Sequence, residues 1–219
     1  MKLKIYLFRH GLTHYNKHQW FTGQIDSKMS KEGYKNARKI AKMLKDKKID
    51  VAYHSHLSRS KNTLKEVLKY HPKCNEVIED DRMIERSYGK LQRHSHKEFM
   101  GDLEQSVVPA IEKSFGKMNR KSRGVFGEKV AKTIYDIYHR SYDIPPPGGE
   151  SIKMVEKRVN LFIKSLLKKM KKEKVNVAIS AHGNSMRPFR AYFEKLSREK
   201  MMKLENPWDD YFEYTVTVK

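Results

Sequence analysis

The chain has 219 residues, enough for one well-formed hydrophobic core and few for two independent ones. Its composition is 38% hydrophobic, 33% charged and 11% aromatic, which excludes a disordered polymer, and the formal net charge of +21 favours anionic partners: phosphorylated metabolites, nucleic acid or anionic membranes. One cysteine, Cys74, excludes an intrachain disulfide and a thiolate metal site, and it fits a reducing, cytoplasmic setting. No apolar run reaches the length of a transmembrane helix, so no membrane partner is expected.

The first element is "LKIYLF" (3–8), rich in β-formers and read as a buried strand. It runs straight into Arg9, His10 and Gly11. Residues 30–47 open on Ser30, carry Glu32 early and repeat apolar residues at Ala37, Ile40, Ala41 and Leu44, the spacing of an amphipathic helix. "IDVAYHS" reads as a second strand, 57–70 as a helix stopped near "HP", and "NEVIED" as a third strand. Residues 93–140 break the alternation: they are mainly helical and basic, and they are read as an insertion rather than a separate domain. A long helix at 152–172 has a lysine-rich outer face. "VNVAIS" is the next strand, "HGNSMRPFRAYFEKL" the next helix, and "YFEYTVTVK" a closing edge strand. Strands alternating with helices predict an α/β fold, a three-layer α/β/α domain over 1–219 with a mostly parallel sheet. The basic helical insertion lies around 98–135.

In open α/β sheets ligands bind beyond the carboxyl ends of the strands. The groups predicted there are Arg9 and His10 after the first strand, Ser55 and Arg59 after the second, Glu85 past the third, and His182 and Gly183 after "VNVAIS". Two arginines offer forked donors that suit phosphate oxygens. A histidine between them could act as nucleophile, base or metal ligand, but two neighbouring guanidiniums oppose a cation. A nucleophilic imidazole attacking a phosphoryl group is favoured, with a carboxylic acid to protonate the departing alkoxide.

The same residues resemble the histidine phosphatase superfamily and, within it, the cofactor-dependent phosphoglycerate mutases. "FRHG" with Asn16 is similar to the opening motif, and "FTGQIDSKMSKEGYKNA" to the following segment. "SHLSRSKNT", "ERSYGKLQ", "HRSYDIPPPGGES" and "SAHGNSMRP" continue the match in order. The resemblance implies that His10 becomes the phosphohistidine. Arg9, Arg59 and His182 would hold the transferring group, Asn16 and Gly183 would add donors, and Glu85 would be the general acid and base. Thr22, Gly23, Tyr88, Lys97, His139, Arg140 and Asn184 would bind the rest of a small phosphorylated metabolite. No metal is implied. 2,3-Bisphosphoglycerate is implied as the priming phosphate donor, and a homo-oligomer would be common for the family.

The chain departs from the mutase pattern at several points. Leu12-Thr13 replaces Glu-Ser, His139 stands where the first of two arginines is usual, and one extra residue precedes Lys97. The stretch from Lys97 to Arg140 is longer than is usual. "ENPWDDYFEYTV" replaces a Gly-x-Pro turn, and a mobile lysine-rich tail is missing. His139 and the missing tail lean toward a phosphatase of small phosphomonoesters; "RSYDIPPP" leans toward a mutase. A non-enzymatic alternative, a nucleic-acid-binding face on "KMNRKSRG", lacks interleaved aromatics and any recognised binding signature. His54, His56, His94, His96 and Trp20 lie near the motifs and could rim the site.

Overall fold

A computed structural model describes residues 1–218, with all side chains except those of Phe115, Arg120 and Arg140. Five strands form one sheet in the order β3-β2-β4-β1-β5. They are β1 (Lys2–Arg9), β2 (Val51–His54), β3 (Glu76–Glu79), β4 (Val177–Ala181) and β5 (Tyr211–Thr217). The first four pair in parallel, and β5 closes the edge antiparallel to β1. The sheet is therefore mostly parallel, as the alternation of strands and helices predicts.

Alternation along β1 decides what each face meets. Leu3, Ile5 and Leu7 join one core with Val155, Val159, Phe162, Ile163 and Leu166 of α6 (Ile152–Glu173). Tyr6 and Phe8 point the other way, into a second core with Ile40, Ala41 and Leu44 of α2 (Lys31–Leu44) and Leu64 and Val67 of α3 (Ser58–Leu68). Successive residues of a strand face opposite sides, so helices must cover both. Each fully buried aliphatic side chain contributes about 1.5–3 kcal/mol of transfer free energy. Residues at helix starts behave as their types require. Ser30 accepts from Gly33 N at 3.0 Å and Ser151 from Met154 N at 3.2 Å, each satisfying an orphan first-turn amide.

Two short helices, α1 (His14–Lys17) and α8 (Arg198–Lys203), carry too few residues to show periodicity and were not expected. The region predicted as an insertion forms a helical hairpin, α4 (His96–Phe115) and α5 (Arg120–Arg140). Only Gly116–Asn119 interrupts it. Gly124 and Gly127 lie inside α5, and a Cβ at Gly127 would meet Val108 Cγ2 at 2.9 Å, so that glycine permits the close approach of the two helices. The hairpin joins the rest through a third cluster: Phe21, Tyr88, Leu91 and Phe99, packed against Leu103, Ile134, Tyr135 and Tyr138.

Candidate active site

β1 ends at Arg9, and the next amide still follows the sheet: His10 N donates to Ala181 O at 3.0 Å. Gly11 then passes against the start of α2, where a Cβ would collide with the Gly33 carbonyl. That contact explains why glycine must follow the histidine. Across the parallel pair β1–β4, the chain leaves β4 at His182 and enters α7 (Gly183–Glu194). The His10 and His182 rings thereby come to 4.9 Å between centroids, and both are buried.

His10 Nδ1 bonds the Gly11 carbonyl at 2.8 Å. A carbonyl only accepts, so Nδ1 carries the proton and Nε2 keeps a lone pair. Burial, with the charges of Arg59 and Arg9, holds the His10 pKa well below the usual imidazole value. His10 is thus a neutral, oriented imidazole with a free Nε2 lone pair, a state that suits a nucleophile. The Ser55 hydroxyl meets His182 Nε2 at 2.7 Å while accepting from Leu57 N at 3.4 Å. A hydroxyl can accept twice, so the direction is assigned from its hydrogen: Nε2 at 2.7 Å is the acceptor offered to the buried Ser55 O–H, which puts the ring proton on His182 Nδ1. That nitrogen is buried without a partner. Burial and Arg59 also depress the His182 pKa.

The two arginines are anchored through backbone carbonyls. Arg59, at the start of α3, donates to Gly23 O at 2.6 Å and Ile25 O at 2.7 Å. Arg9 donates to Asn206 O at 3.0 Å. The Nε atom of each is buried and unpartnered, like His182 Nδ1. Burial pushes both arginines down to about 10, with Glu85 acting in the other direction, so both remain cationic at neutral pH. Three buried orphan donors around one imidazole form a cradle for an anion, because unsatisfied buried N–H groups are costly without one. Glu85 faces the cradle, with Oε1 accepting from Arg86 N at 2.8 Å and Asn184 N at 3.1 Å.

His10, Glu85 and His182 each offer a ligand atom within 4.8 Å of the others. Two histidines and a carboxylate are ligands that metals use, but their surroundings are cationic. The charges of Arg9 and Arg59 act on both histidines and would repel a cation.

All of these groups except His182, which is fully buried behind the surface, open into a cavity of about 350 Å³. Arg9, His10, Arg59, Glu85 and Gly183 line it, together with Asn16, Thr22, Gly23, Tyr88, His139 and Asn184. Asn16 Oδ1 accepts from Thr13 N and Thr13 Oγ1, which leaves Nδ2 as its donor. Gly23 has φ +49, and a Cβ there would collide with Gln92 Oε1, so only glycine presents its carbonyl to Arg59. The Arg140 side chain lies outside the described residues.

Lys97 is a correction. It is exposed and does not line the cavity; His96 does. Both sit in the first turn of α4 after the cap Ser95, and one step around a helix turns the side chain by about 100°. The extra residue before this helix therefore moves His96 inward and Lys97 outward. His96 Nδ1 lies 3.1 Å from Tyr135 Oη, and its ring centroid is 5.3 Å from that of His139. Trp20 also walls the cavity. His54, His56 and His94 do not line it: the His54 ring bonds Ser55 O and the His56 ring bonds Asp81.

Sequence reasoning missed Arg187 and the segment that supplies Leu204, Glu205, Asn206 and Trp208 to the cavity. Arg187 follows Gly183 by about one turn of α7, a spacing that could have flagged it. The 204–208 segment has no periodic signal and reaches the site only because β5 pairs beside β1.

A buried, neutral histidine in a ring of guanidinium and imidazole donors, at the carboxyl edge of a parallel sheet, fits an enzyme that transfers or hydrolyses phosphoryl groups. The chain belongs to the histidine phosphatase superfamily (branch 1), whose profile matches residues 5–110 and 110–216. It is 34% identical over 205 residues to a 2,3-bisphosphoglycerate-dependent phosphoglycerate mutase from Methanococcus vannielii, covering 91% of this chain and 84% of that protein. A mutase of the same name from Parvibaculum lavamentivorans is 35% identical over 202 residues, covering 90% and 83%. Among solved structures, the alpha-ribazole phosphatase from Shigella flexneri shares the fold with a TM-score of 0.73 at 19% identity, covering 96% of this chain and 89% of that one. No helix among the described residues is long and apolar enough to cross a membrane.

Proposed function

We propose that the chain is a phosphoglycerate mutase that interconverts 3-phosphoglycerate and 2-phosphoglycerate, a step of glycolysis in the cytoplasm, and that 2,3-bisphosphoglycerate primes it. The observation that carries this reading is the two-ended cavity. One end is the orphan-donor cradle around His10. The other end is lined by Thr22, Tyr88, His96 and His139. A substrate that carries both a phosphate and a carboxylate uses both ends. The donor set around His10 suits the phosphate of the priming bisphosphate, since the orphaned Nε atoms of Arg9 and Arg59 and Nδ1 of His182 are all unpaired donors.

The chemistry asks two things of this chain. His10 Nε2 forms a bond to phosphorus as the ester P–O bond breaks, and the leaving oxygen takes its proton from Glu85. In the return, Glu85 takes the proton of the accepting hydroxyl as the N–P bond breaks and the new P–O bond forms. Arg9, Arg59 and His182 hold charge on the phosphoryl oxygens throughout.

The second reading, hydrolysis of small phosphomonoesters, is favoured by His139. An imidazole in place of a guanidinium gives up a permanent charge at the far end. Water then replaces the accepting hydroxyl, with no other change in the catalytic set. One incubation separates the two: 3-phosphoglycerate with a trace of 2,3-bisphosphoglycerate, following 2-phosphoglycerate and free phosphate together. The mutase reading expects 2-phosphoglycerate far ahead of phosphate and dependent on the bisphosphate. Phosphate ahead of 2-phosphoglycerate overturns it.

A further inference from the structure

Arg9 is held in an unusual way. A Cβ built on Gly183 would lie 3.2, 3.3 and 3.4 Å from Arg9 Nη2, Cζ and Nε. Near-equal distances to three coplanar atoms place that point over the guanidinium face rather than at its edge. Trp208 packs on the same guanidinium, its ring centroid 4.0 Å from Arg9 Cζ. The guanidinium thus lies in a slot formed by the first residue of α7 and an indole.

The slot itself is fixed. Asn206 Nδ2 donates to Gly183 O at 2.9 Å, and Asn206 O accepts from Arg9 Nη1. Arg190 Nη1, on α7, donates to Asn206 Oδ1 at 3.0 Å and Glu205 O at 2.9 Å. Arg190 is braced by Glu194 and stacks on Phe212 at 3.9 Å. Trp208 thus rides on a segment tied to the helix that carries Gly183. Its own Nε1–H is buried without a partner. Trp208 lines the same cavity as the orphan donors, so a role for this N–H and a role for the ring face must be told apart, and phenylalanine, which keeps a face and has no N–H, separates them.

We propose that Trp208 is a positioning residue for the phosphoryl clamp. Its indole face holds the Arg9 guanidinium against Gly183, so that the edge not bonded to Asn206 meets the phosphoryl oxygens without reorganisation. The role belongs to the step in which His10 takes up the phosphoryl group, so it is independent of whether a hydroxyl or water takes it next.

The test is a double-mutant cycle read by inorganic phosphate binding, using isothermal titration calorimetry on the full chain at pH 7. Trp208→Leu removes the π face, and phosphate Kd is expected to rise about tenfold. Trp208→Phe keeps a face and stays within about threefold of the parent. In an Arg9→Ala background, Trp208→Leu adds nothing further, because its effect passes through Arg9. Three results each overturn the proposal: an unchanged Kd in folded Trp208→Leu, equal losses in the Leu and Phe variants, or an undiminished loss in the Arg9→Ala background. Should Trp208→Leu fail to fold, Trp208→Met, which also lacks a π face, takes its place in the same cycle, with the same expected loss and the same three results overturning the proposal.

Discussion

Arg86 was silent in the sequence and is among the largest fully buried side chains. It donates to Glu150 O at 2.6 Å, Tyr138 O at 2.9 Å and His139 O at 3.1 Å, and its Cζ lies 5.0 Å from the Tyr88 ring centroid. Two of those carbonyls belong to the last turn of α5, so Arg86 caps the helix that delivers His139 to the cavity. Arg86→Leu removes three charge-assisted bonds, each contributing about 1.5–3 kcal/mol, and relieves the cost of burying one guanidinium. Leucine also leaves part of the space empty, at about 24 cal/mol per Å³. The net expected loss is about 3–5 kcal/mol, or roughly 10 °C in Tm for a chain of this size. Arg86→Lys can keep one or two of the bonds and is expected to lose about half as much. Urea unfolding at pH 7 measures both. The functional signature is separate: KM for the acidic substrate rises more than kcat falls, because His10, Arg9 and Arg59 are untouched. An Arg86→Leu protein within about 1 kcal/mol of the parent would refute the reasoning, since surface-like changes stay in that range. So would a fall in kcat at constant KM.

Four further outcomes are expected. His10→Ala abolishes phosphoryl transfer while leaving the urea midpoint near that of the parent; labelling from a radioactive phosphate donor reads the first and circular dichroism the second. Glu85→Gln keeps an acceptor for Arg86 N and Asn184 N but supplies no proton. Turnover of alkyl phosphates should fall about 10²–10⁴-fold while 4-nitrophenyl phosphate, whose leaving group needs no proton, loses far less. Burial depresses the pKa of both His10 and His182 below the ordinary 6.5, so between the folded and unfolded values the unfolded chain binds more protons. Their contribution to stability is complete above that value and is lost as pH falls through the depressed range; urea midpoints from pH 7.5 down to 5 should drop in the parent and flatten when both are changed to glutamine. His96→Ala should raise KM for an acidic substrate several-fold whereas Lys97→Ala leaves it unchanged, and the reverse ranking would sink the placement of these two side chains.

What could be read in advance followed from periodic pattern and strand-end chemistry. The β-branched and aromatic run ending at Phe8, the four apolar positions of α2 and the closing edge strand each carry a period that only one element satisfies. Arg9, His10, Arg59, Glu85 and His182 converge because parallel strands all deliver their carboxyl ends to one edge. The rest depended on information that a pattern does not hold. His96 and Lys97 are adjacent, and only the exact start of α4 decides which one turns inward. Arg86 looked like an ordinary loop arginine because its three acceptors come from residues 138, 139 and 150. Trp208 and Asn206 reach Arg9 across nearly 200 positions, through a β5 pairing whose antiparallel register places them over α7.

The two ends of the cavity have different origins, and that division bears on what the enzyme does with its phosphoryl group. The cradle around His10 is built from strand termini and the first turns of α3 and α7, all rooted in the two main cores. Every member of that set serves transfer to a hydroxyl and transfer to water alike. The far end is built by the hairpin α4–α5 and the residues that dock it: Phe21, Tyr88, His96 and His139, whose rings lie 4.4–6.2 Å apart between centroids. A mutase must keep its bisphosphate intermediate bound long enough to return the phosphoryl group, and what retains the non-reacting end is the charge and fit of this aromatic and imidazole wall. One tenfold change in the residence of that intermediate corresponds to about 1.4 kcal/mol, the scale of a single imidazole–anion contact. On the proposed function, the choice between isomerisation and hydrolysis is expected to be set on the hairpin, at positions such as His96 and His139, and to change without any substitution around His10.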